Sequence, residues 1–260
     1  MKLIIGYLYS NLLNLYGDNG NVEILHYRAS MRGIDVEIRY IDINTKITSE
    51  LIQDINFVFM GGGPDASQKE MYIDLITNKR TFLSDYINSG GVGLFICGAY
   101  QLLGSYYKSA DGSVLEGLSI FDCYTEHFGN HKPRCIGNVV TQFNTQLAED
   151  KILSSDVYGN YLVGFENHGG RTYLSKSATP FCIFKKDMQD TKGFGNNGED
   201  FTEGIHFKNS IGTYLHGPVL SKNPHFADYL LTKALKLEPL PIVEDNIIKL
   251  AHLTARKLDQ

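Results

Sequence analysis

The sequence predicts an α/β fold, a parallel sheet covered by helices on both faces. Two observations carry this. From Leu3 to about Tyr107, short apolar runs alternate with helix-like patterns, the signature of βαβ units. Glycines punctuate the joins: Gly33 and Gly90-Gly91 end helices, and Gly61-Gly62-Gly63 closes a strand. At 260 residues the chain suits one large α/β domain or two small ones, and it is long enough to bury a sizeable core.

The elements follow in order. Leu3–Tyr9 reads as a buried strand. Asp18-Asn19-Gly20 starts a helix whose apolar positions are Val22, Ile24, Leu25 and Met31. Ile34–Ile43 alternates as a second strand, and Asn56–Met60 is a third. A long helix runs from about Ala66 to Asn88. Val92–Ile96 is the next strand, and Tyr100–Tyr107 begins the next helix. From Leu115 to about Tyr214 the pattern becomes mainly β. Ile136–Phe143, Tyr161–Phe165, Thr172–Leu174 and Phe181–Phe184 are short apolar runs separated by turns such as "NHGGR" and "KGFGNNGED". Ile211–Leu215 is one more strand, ending at His216. Asn223 then caps a helix with Pro224 at its first position, running to about Leu237. "EPLP" breaks it, and Asp245–Leu258 is a last amphipathic helix.

Hydrophobic residues make up 43% and charged residues 20%, an ordinary soluble balance. The net charge of −5, with no dense run of Lys and Arg, argues against nucleic acid as the main partner. Four cysteines in this length are no disulfide scaffold. "MKLIIGYLYSNLL" lacks a signal-peptide cleavage site and reads as a strand, and no stretch approaches a spanning helix. The expectation is a cytoplasmic protein with reduced thiols.

Ligands of parallel sheets bind at the carboxyl ends of the strands. Cys97 falls there, at the start of a helix whose dipole favours the thiolate. Position alone leaves it a nucleophile or a buried structural thiol. A thiol nucleophile needs a base and an oxyanion hole. Gly98 follows the thiol and offers one amide, and the Gly61–Gly63 turn can offer a second. His216, at the end of "IGTYLH", shares the sheet edge, and His168 in "FENHGG" is the rival base. "GGGPD" lacks the Gly-Lys-Ser/Thr ending of a P-loop, and no dinucleotide fingerprint follows the first strand. "CYTEHFGNHKPRC" spaces Cys123, His127, His131 and Cys135 as zinc-type ligands, though in no common zinc module. Arg134 in that stretch is a carboxylate clamp or a surface salt bridge.

"ICGAYQLLG", "FENHGG" and "LHGP" stand in the order and spacing of class I, triad-type glutamine amidotransferases, and the Cys-Gly-Ala-Tyr-Gln stretch resembles their cobyric acid synthase-like branch. "LYSNLLNLYGDNGN", "KPRCIGN" and "GFENHGGRT" narrow the resemblance to the glutaminase subunits of lipid II isoglutaminyl synthases. It covers nearly the whole chain. It implies one amidotransferase domain over residues 1–260, with a three-layer α/β/α sandwich and a mostly parallel central sheet. By position it implies Cys97 as nucleophile and His216 as base. Gly62 or Gly63, with Gly98, would form the oxyanion hole. Gln101 and the backbone around Asn167, His168 and Gly169 would hold L-glutamine, and Arg134 would bind its α-carboxylate. No metal or cofactor is implied for this chain. ATP and Mg²⁺ belong to an implied partner, the Mur-ligase-like subunit MurT, through which ammonia would reach the D-glutamate of lipid II in a heterodimer. Cobyrinate-type subunits would share every catalytic residue, and a non-enzymatic zinc module built on Cys123–Cys135 is the reading from another class.

Two departures matter. Ala99 stands where the branch has Gly, and Ala still permits a tight turn. Most relatives read His-Pro-Glu, with the Glu orienting the His. Here Pro218 holds that place. The triad therefore reads as incomplete, which predicts an orienting carboxylate supplied in trans by the partner, with Glu166 the first internal candidate.

Overall fold

The computed structural model describes residues 1–184 and 194–257. Strands β1 (Lys2–Leu8), β2 (Asp35–Ile41), β3 (Phe57–Met60) and β4 (Val92–Ile96) are followed by β5 (Tyr106–Lys108), β6 (Val114–Glu116), β7 (Cys123–His127), β8 (Cys135–Phe143), β9 (Tyr161–His168), β10 (Gly170–Leu174), β11 (Cys182–Ile183), β12 (Thr202–Glu203), β13 (Ile205–Phe207) and β14 (Ser210–Thr213). The helices are α1 (Asn19–Ser30), α2 (Ser49–Ile52), α3 (Asp65–Asp74), α4 (Arg80–Asn88), α5 (Gly98–Leu103), α6 (Pro224–Leu235) and α7 (Asn246–Ala255).

The central sheet has six strands in the order β13-β14-β4-β3-β1-β2. Every neighbouring pair is parallel except β13 with β14. Leu3, Ile5, Phe57, Val58, Phe59, Leu94, Phe95 and Ile96 have no exposed surface. Strands covered on both faces are continuous apolar runs rather than alternating ones, which is why "FVFM" and "VGLFI" read as they do. Helices α1 and α6 pack on each other, α1 also on β2 and α6 on β1 and β4. The β-rich stretch forms two four-stranded sheets, β10-β7-β5-β6 and β12-β11-β8-β9. No described helix is long and apolar enough to cross a membrane.

Some elements differ from the sequence reading: β14 ends at Thr213 rather than Leu215, α2 was not expected, and three further differences have identifiable causes. The expected long helix is α3 and α4 joined by a π-helical turn over Leu75–Lys79, and Lys79, fully buried, ends it on Asp74 at 2.8 Å. The helix expected over Tyr100–Tyr107 stops at Leu103, because Gly104 is extended and Tyr106–Lys108 pairs with β6 and β7. Asn223 precedes α6 but does not cap it with its side chain. Its amide instead accepts from the Val163 N–H and donates to the Val163 and Val219 carbonyls. The residues from 185 to 193, which include the first part of "KGFGNNGED", and Leu258 at the end of the last expected helix lie outside the described residues.

Candidate active site

The carboxyl ends of β1, β3, β4 and β14 lie side by side, and each delivers one part of the site. Cys97 follows β4 directly. Its N–H donates to the Thr213 carbonyl at 2.8 Å, and its own carbonyl accepts from Gln101 at 3.0 Å, so the residue joins strand to helix with no spare chain. The join forces Cys97 to φ 49° and ψ −102°, a conformation that L-residues avoid. Such strain persists only where the surroundings over-determine it. Here it turns the thiol out of the strand at the start of α5.

His216 follows β14 and is fully buried. An isolated bridge to Phe165 fixes its backbone, with His216 N–H donating to the Phe165 carbonyl at 2.8 Å. Its Nδ1–H donates to Asp18 Oδ1 at 3.0 Å. Burial pulls the imidazole pKa down, but the hydrogen bond to Asp18 and the neighbouring Cys97 outweigh it and raise it to about 10. Nε2 is buried without a hydrogen-bond partner among the described residues, which leaves it for a proton exchanged with the thiol or with substrate.

A carboxylate of this chain thus already meets the imidazole where an acid in trans was expected, so the geometry calls for none from a partner. Asp18 sits in the turn between β1 and α1, fully buried, and its second oxygen accepts from the Gly62 N–H at 2.8 Å. Like Asn223, it was expected to serve only a helix start, yet its side chain caps nothing. Pro218, in the acid's usual place, packs against this turn: a Cβ on Gly20 would come within 2.3 Å of its Cγ. Glu166 is not the acid. Its carboxylate accepts from the Gly195 N–H at 2.9 and 3.2 Å and lies 3.5 Å from His168 Nε2.

Gly62 stands at the centre of these groups. A Cβ there would lie 3.0 Å from Cys97 Cβ, 3.0 Å from His216 Cε1 and 3.2 Å from Asp18 Oδ2. Of the two glycines expected to offer an oxyanion donor, Gly62 is corrected, because its amide is committed to Asp18. Gly63 and Gly98 keep their N–H groups unpaired within the described residues. Gln68 ties their two loops together. Its Nε2 donates to the Gly63 carbonyl at 3.1 Å, and its amide lies so close to Gly98 that a Cβ there would meet it at 2.8 Å. The sequence reading missed both Asp18 and Gln68.

A cavity of about 440 Å³ opens beside Cys97 and is lined by Gly63, Gln101, Arg134, Asn167, His168 and Gly169 among others. Gln101 Nε2 donates to Tyr214 Oη at 3.2 Å. His168, the rival base, is stacked on the Tyr214 ring at 3.7 Å, and its Nδ1–H donates to the Gly170 carbonyl at 2.8 Å. It contributes a wall and has no carboxylate on Nδ1. Arg134 is exposed at the rim, with Nε and Nη2 donating to Asn167 Oδ1 at 3.1 and 2.9 Å. Asn167 in turn donates to Tyr16 Oη, and the Tyr16 ring lies edge-on to His216 at 5.0 Å. Tyr16, another residue the sequence reading passed over, thus roofs the triad from a left-handed backbone position, φ 55°.

Arg134 forms no ion pair among the described residues, so the salt-bridge reading has no partner acid. Arg134→Lys is expected to raise KM for glutamine roughly 10- to 100-fold with little change in kcat, since Lys lacks the planar fork. Steady-state kinetics with an unchanged KM would return Arg134 to a surface role.

The zinc reading fails on geometry. Cys123 and Cys135 lie on different sheets. The one close group of metal-type side chains among the described residues is Cys135, Glu166 and His168. There the Arg171 guanidinium already donates to Cys135 Sγ at 2.6 Å.

Comparison with known proteins places this geometry. Residues 4–224 match the CobB/CobQ-like glutamine amidotransferase domain. The GatD subunit of lipid II isoglutaminyl synthase (glutamine-hydrolyzing) from Staphylococcus aureus is 39% identical over 257 residues, covering 99% of this chain and 94% of that one. The GatD subunit from Streptococcus pneumoniae is also 39% identical, over 94% of this chain and 86% of that one. A probable cobyric acid synthase from Methanocaldococcus jannaschii is 30% identical over 79% of this chain but only 37% of its own length. Among solved structures, a glutamine amidotransferase from Thermotoga maritima aligns with TM-score 0.54 at 15% identity over 99% of this chain and 93% of that one. PurLQS from the same organism aligns at 0.58 and 11% identity over 91% and 99%. At these identities the likeness is one of fold.

Proposed function

The chain belongs to the CobB/CobQ-like glutamine amidotransferase family, and on that premise we propose that it is the glutaminase subunit of a lipid II isoglutaminyl synthase. The observation that carries the assignment is identity. Over 94% or more of its length the chain is 39% identical to two GatD subunits, but it is only 30% and 26% identical to two cobyric acid synthases that it also resembles.

The chemistry follows from the site. The Cys97 thiolate attacks the side-chain amide carbon of L-glutamine, and the developing oxyanion meets the N–H groups of Gly63 and Gly98. His216, held by Asp18, donates its Nε2 proton to the departing nitrogen, and ammonia leaves. His216 then takes a proton from water, which attacks the thioester, releases glutamate and restores the thiol. Arg134 anchors the α-carboxylate. The ammonia goes to a second, Mur-ligase-like subunit of the MurT kind. That partner activates the α-carboxylate of the D-glutamate in the lipid II stem with ATP and Mg²⁺ and aminates it to D-isoglutamine. On this reading the chain works in the cytoplasm.

The test is reconstitution. The chain, the ligase subunit, ATP, Mg²⁺, lipid II and ¹⁵N-amide-labelled glutamine are expected to give ¹⁵N-labelled D-isoglutamine in the stem peptide. Mass spectrometry showing no label in lipid II, with a cobyrinate acceptor labelled instead, would move the chain to the other branch.

A further inference from the structure

The cavity beside Cys97 holds two opposite charges that no other described residue neutralises. Among the described residues that line it, Arg134 is the one guanidinium or ammonium group and Asp65 the one carboxylate. Neither forms an ion pair among the described residues. Asp65 opens α3, just after the Gly61–Gly63 turn, so the segment that supplies the Gly63 amide also sets this acid. Its Oδ1 accepts from Tyr107 Oη at 3.1 Å, which fixes the carboxylate, and its second oxygen has no hydrogen-bond partner among the described residues. The cations near it are otherwise committed. Lys69, one turn along α3, is paired with Asp111 at 2.8 Å. His127 accepts from the Gly129 N–H at Nδ1, and burial lowers its pKa despite Asp65, so the ring stays neutral.

An acid in the first turn of a helix is commonly explained by the helix dipole. That account gives no reason for a cavity wall, for a hydroxyl holding one oxygen, or for an unpaired guanidinium in the same cavity. A zwitterion explains all three. Glutamine carries an α-carboxylate and an α-ammonium on one carbon, and its amide must reach Cys97 with both charges desolvated. Burying a charge is costly unless it is paired. A cavity with one fixed carboxylate and one guanidinium supplies both pairs.

We propose that Asp65 is the specificity residue that reads the α-ammonium of glutamine, opposite Arg134 on the α-carboxylate, with Tyr107 orienting it. The proposal rests on the glutaminase reading above and extends it to a residue that the motifs do not carry. It makes the site one for α-amino acids rather than for primary amides or amidated dicarboxylates in general.

The test compares L-glutamine with 4-carbamoylbutanoate, the same molecule with hydrogen in place of the α-ammonium. It is made on the full-length chain, alone and with its ligase subunit. The wild type is expected to favour L-glutamine in kcat/KM by about 10-fold or more, the value of a charged hydrogen bond. In Asp65→Asn, which keeps an acceptor for Tyr107, kcat/KM for L-glutamine is expected to fall about 10- to 100-fold, mostly through KM. That for 4-carbamoylbutanoate should stay within about threefold, so the preference collapses. A variant that keeps the wild-type preference overturns the proposal. So does a wild type with no preference, a measurement that carries no folding question. A wild type that releases no ammonia from glutamine overturns the glutaminase reading itself, which is a separate result.

Discussion

Replacing Cys97 with serine is expected to lower glutamine hydrolysis by about 10⁴-fold or more while leaving the fold intact. Serine is nearly isosteric, and the strained strand-to-helix join is a backbone feature that it can inherit. What it lacks is a readily ionised nucleophile. The other thiols offer no substitute. Burial raises Cys123 and Cys135 to about 12, and Cys182 well above the ordinary thiol range. A diazo-ketone analogue of glutamine should therefore label Cys97 alone. Peptide mapping that finds the label on another cysteine, together with full activity in Cys97→Ser, would remove Cys97 from the mechanism.

Asp18→Asn is expected to lower kcat by about 10⁴-fold, the scale on which other triads respond to losing their acid. Asn at this position presents an amide that can donate toward Nδ1 and so favour the wrong tautomer. It also loses the charge that holds the imidazolium. In the native chain burial lowers the His216 pKa, but Asp18 and Cys97 raise it from 6.5 to about 10. A folded-state pKa above the unfolded one stabilises the fold fully below 6.5 and loses that contribution as pH rises through about 10. The Tm of the variant should therefore lie below that of the wild type at neutral pH, and the gap should close above pH 10. Kinetics would show kcat, not KM, carrying the defect. An Asp18→Asn chain that turns over normally, in the presence or absence of the ligase subunit, would mean that another carboxylate orients His216.

The strand framework was legible because parallel strands buried on both faces leave continuous apolar runs between glycine turns. Cys97 and His216 could be placed on one edge for the same reason, since each ends such a run. Asp18 could not. Its turn carries the signals of a helix start, and helix starts favour acids for local reasons, so nothing in "YGDNGN" separates a cap from a side chain aimed across the molecule. With Pro218 in the usual acid place the sequence points outward to a partner, whereas the carboxylate that meets His216 lies near the other end of the chain. Gln68 and Tyr16 escaped for a related reason. Each acts by reaching an element remote in sequence, Gln68 to Gly98 and Tyr16 to His216. The break in the expected Tyr100–Tyr107 helix was hidden because "SYYK" is equally apolar and aromatic in either state.

The Asp18–His216 bond joins positions 198 residues apart. During synthesis the nucleophile, the oxyanion amides and Asp18 leave the ribosome well before the base does, and the long loop between them must close before the bond can form. Hydrolytic competence is therefore acquired late, after the central sheet has accepted β14 between β4 and β13. A nascent or truncated chain that ends before His216 holds a thiol and an acid but no proton carrier. Incomplete products of translation or proteolysis would be silent, unable to drain the glutamine pool of the cell that makes them.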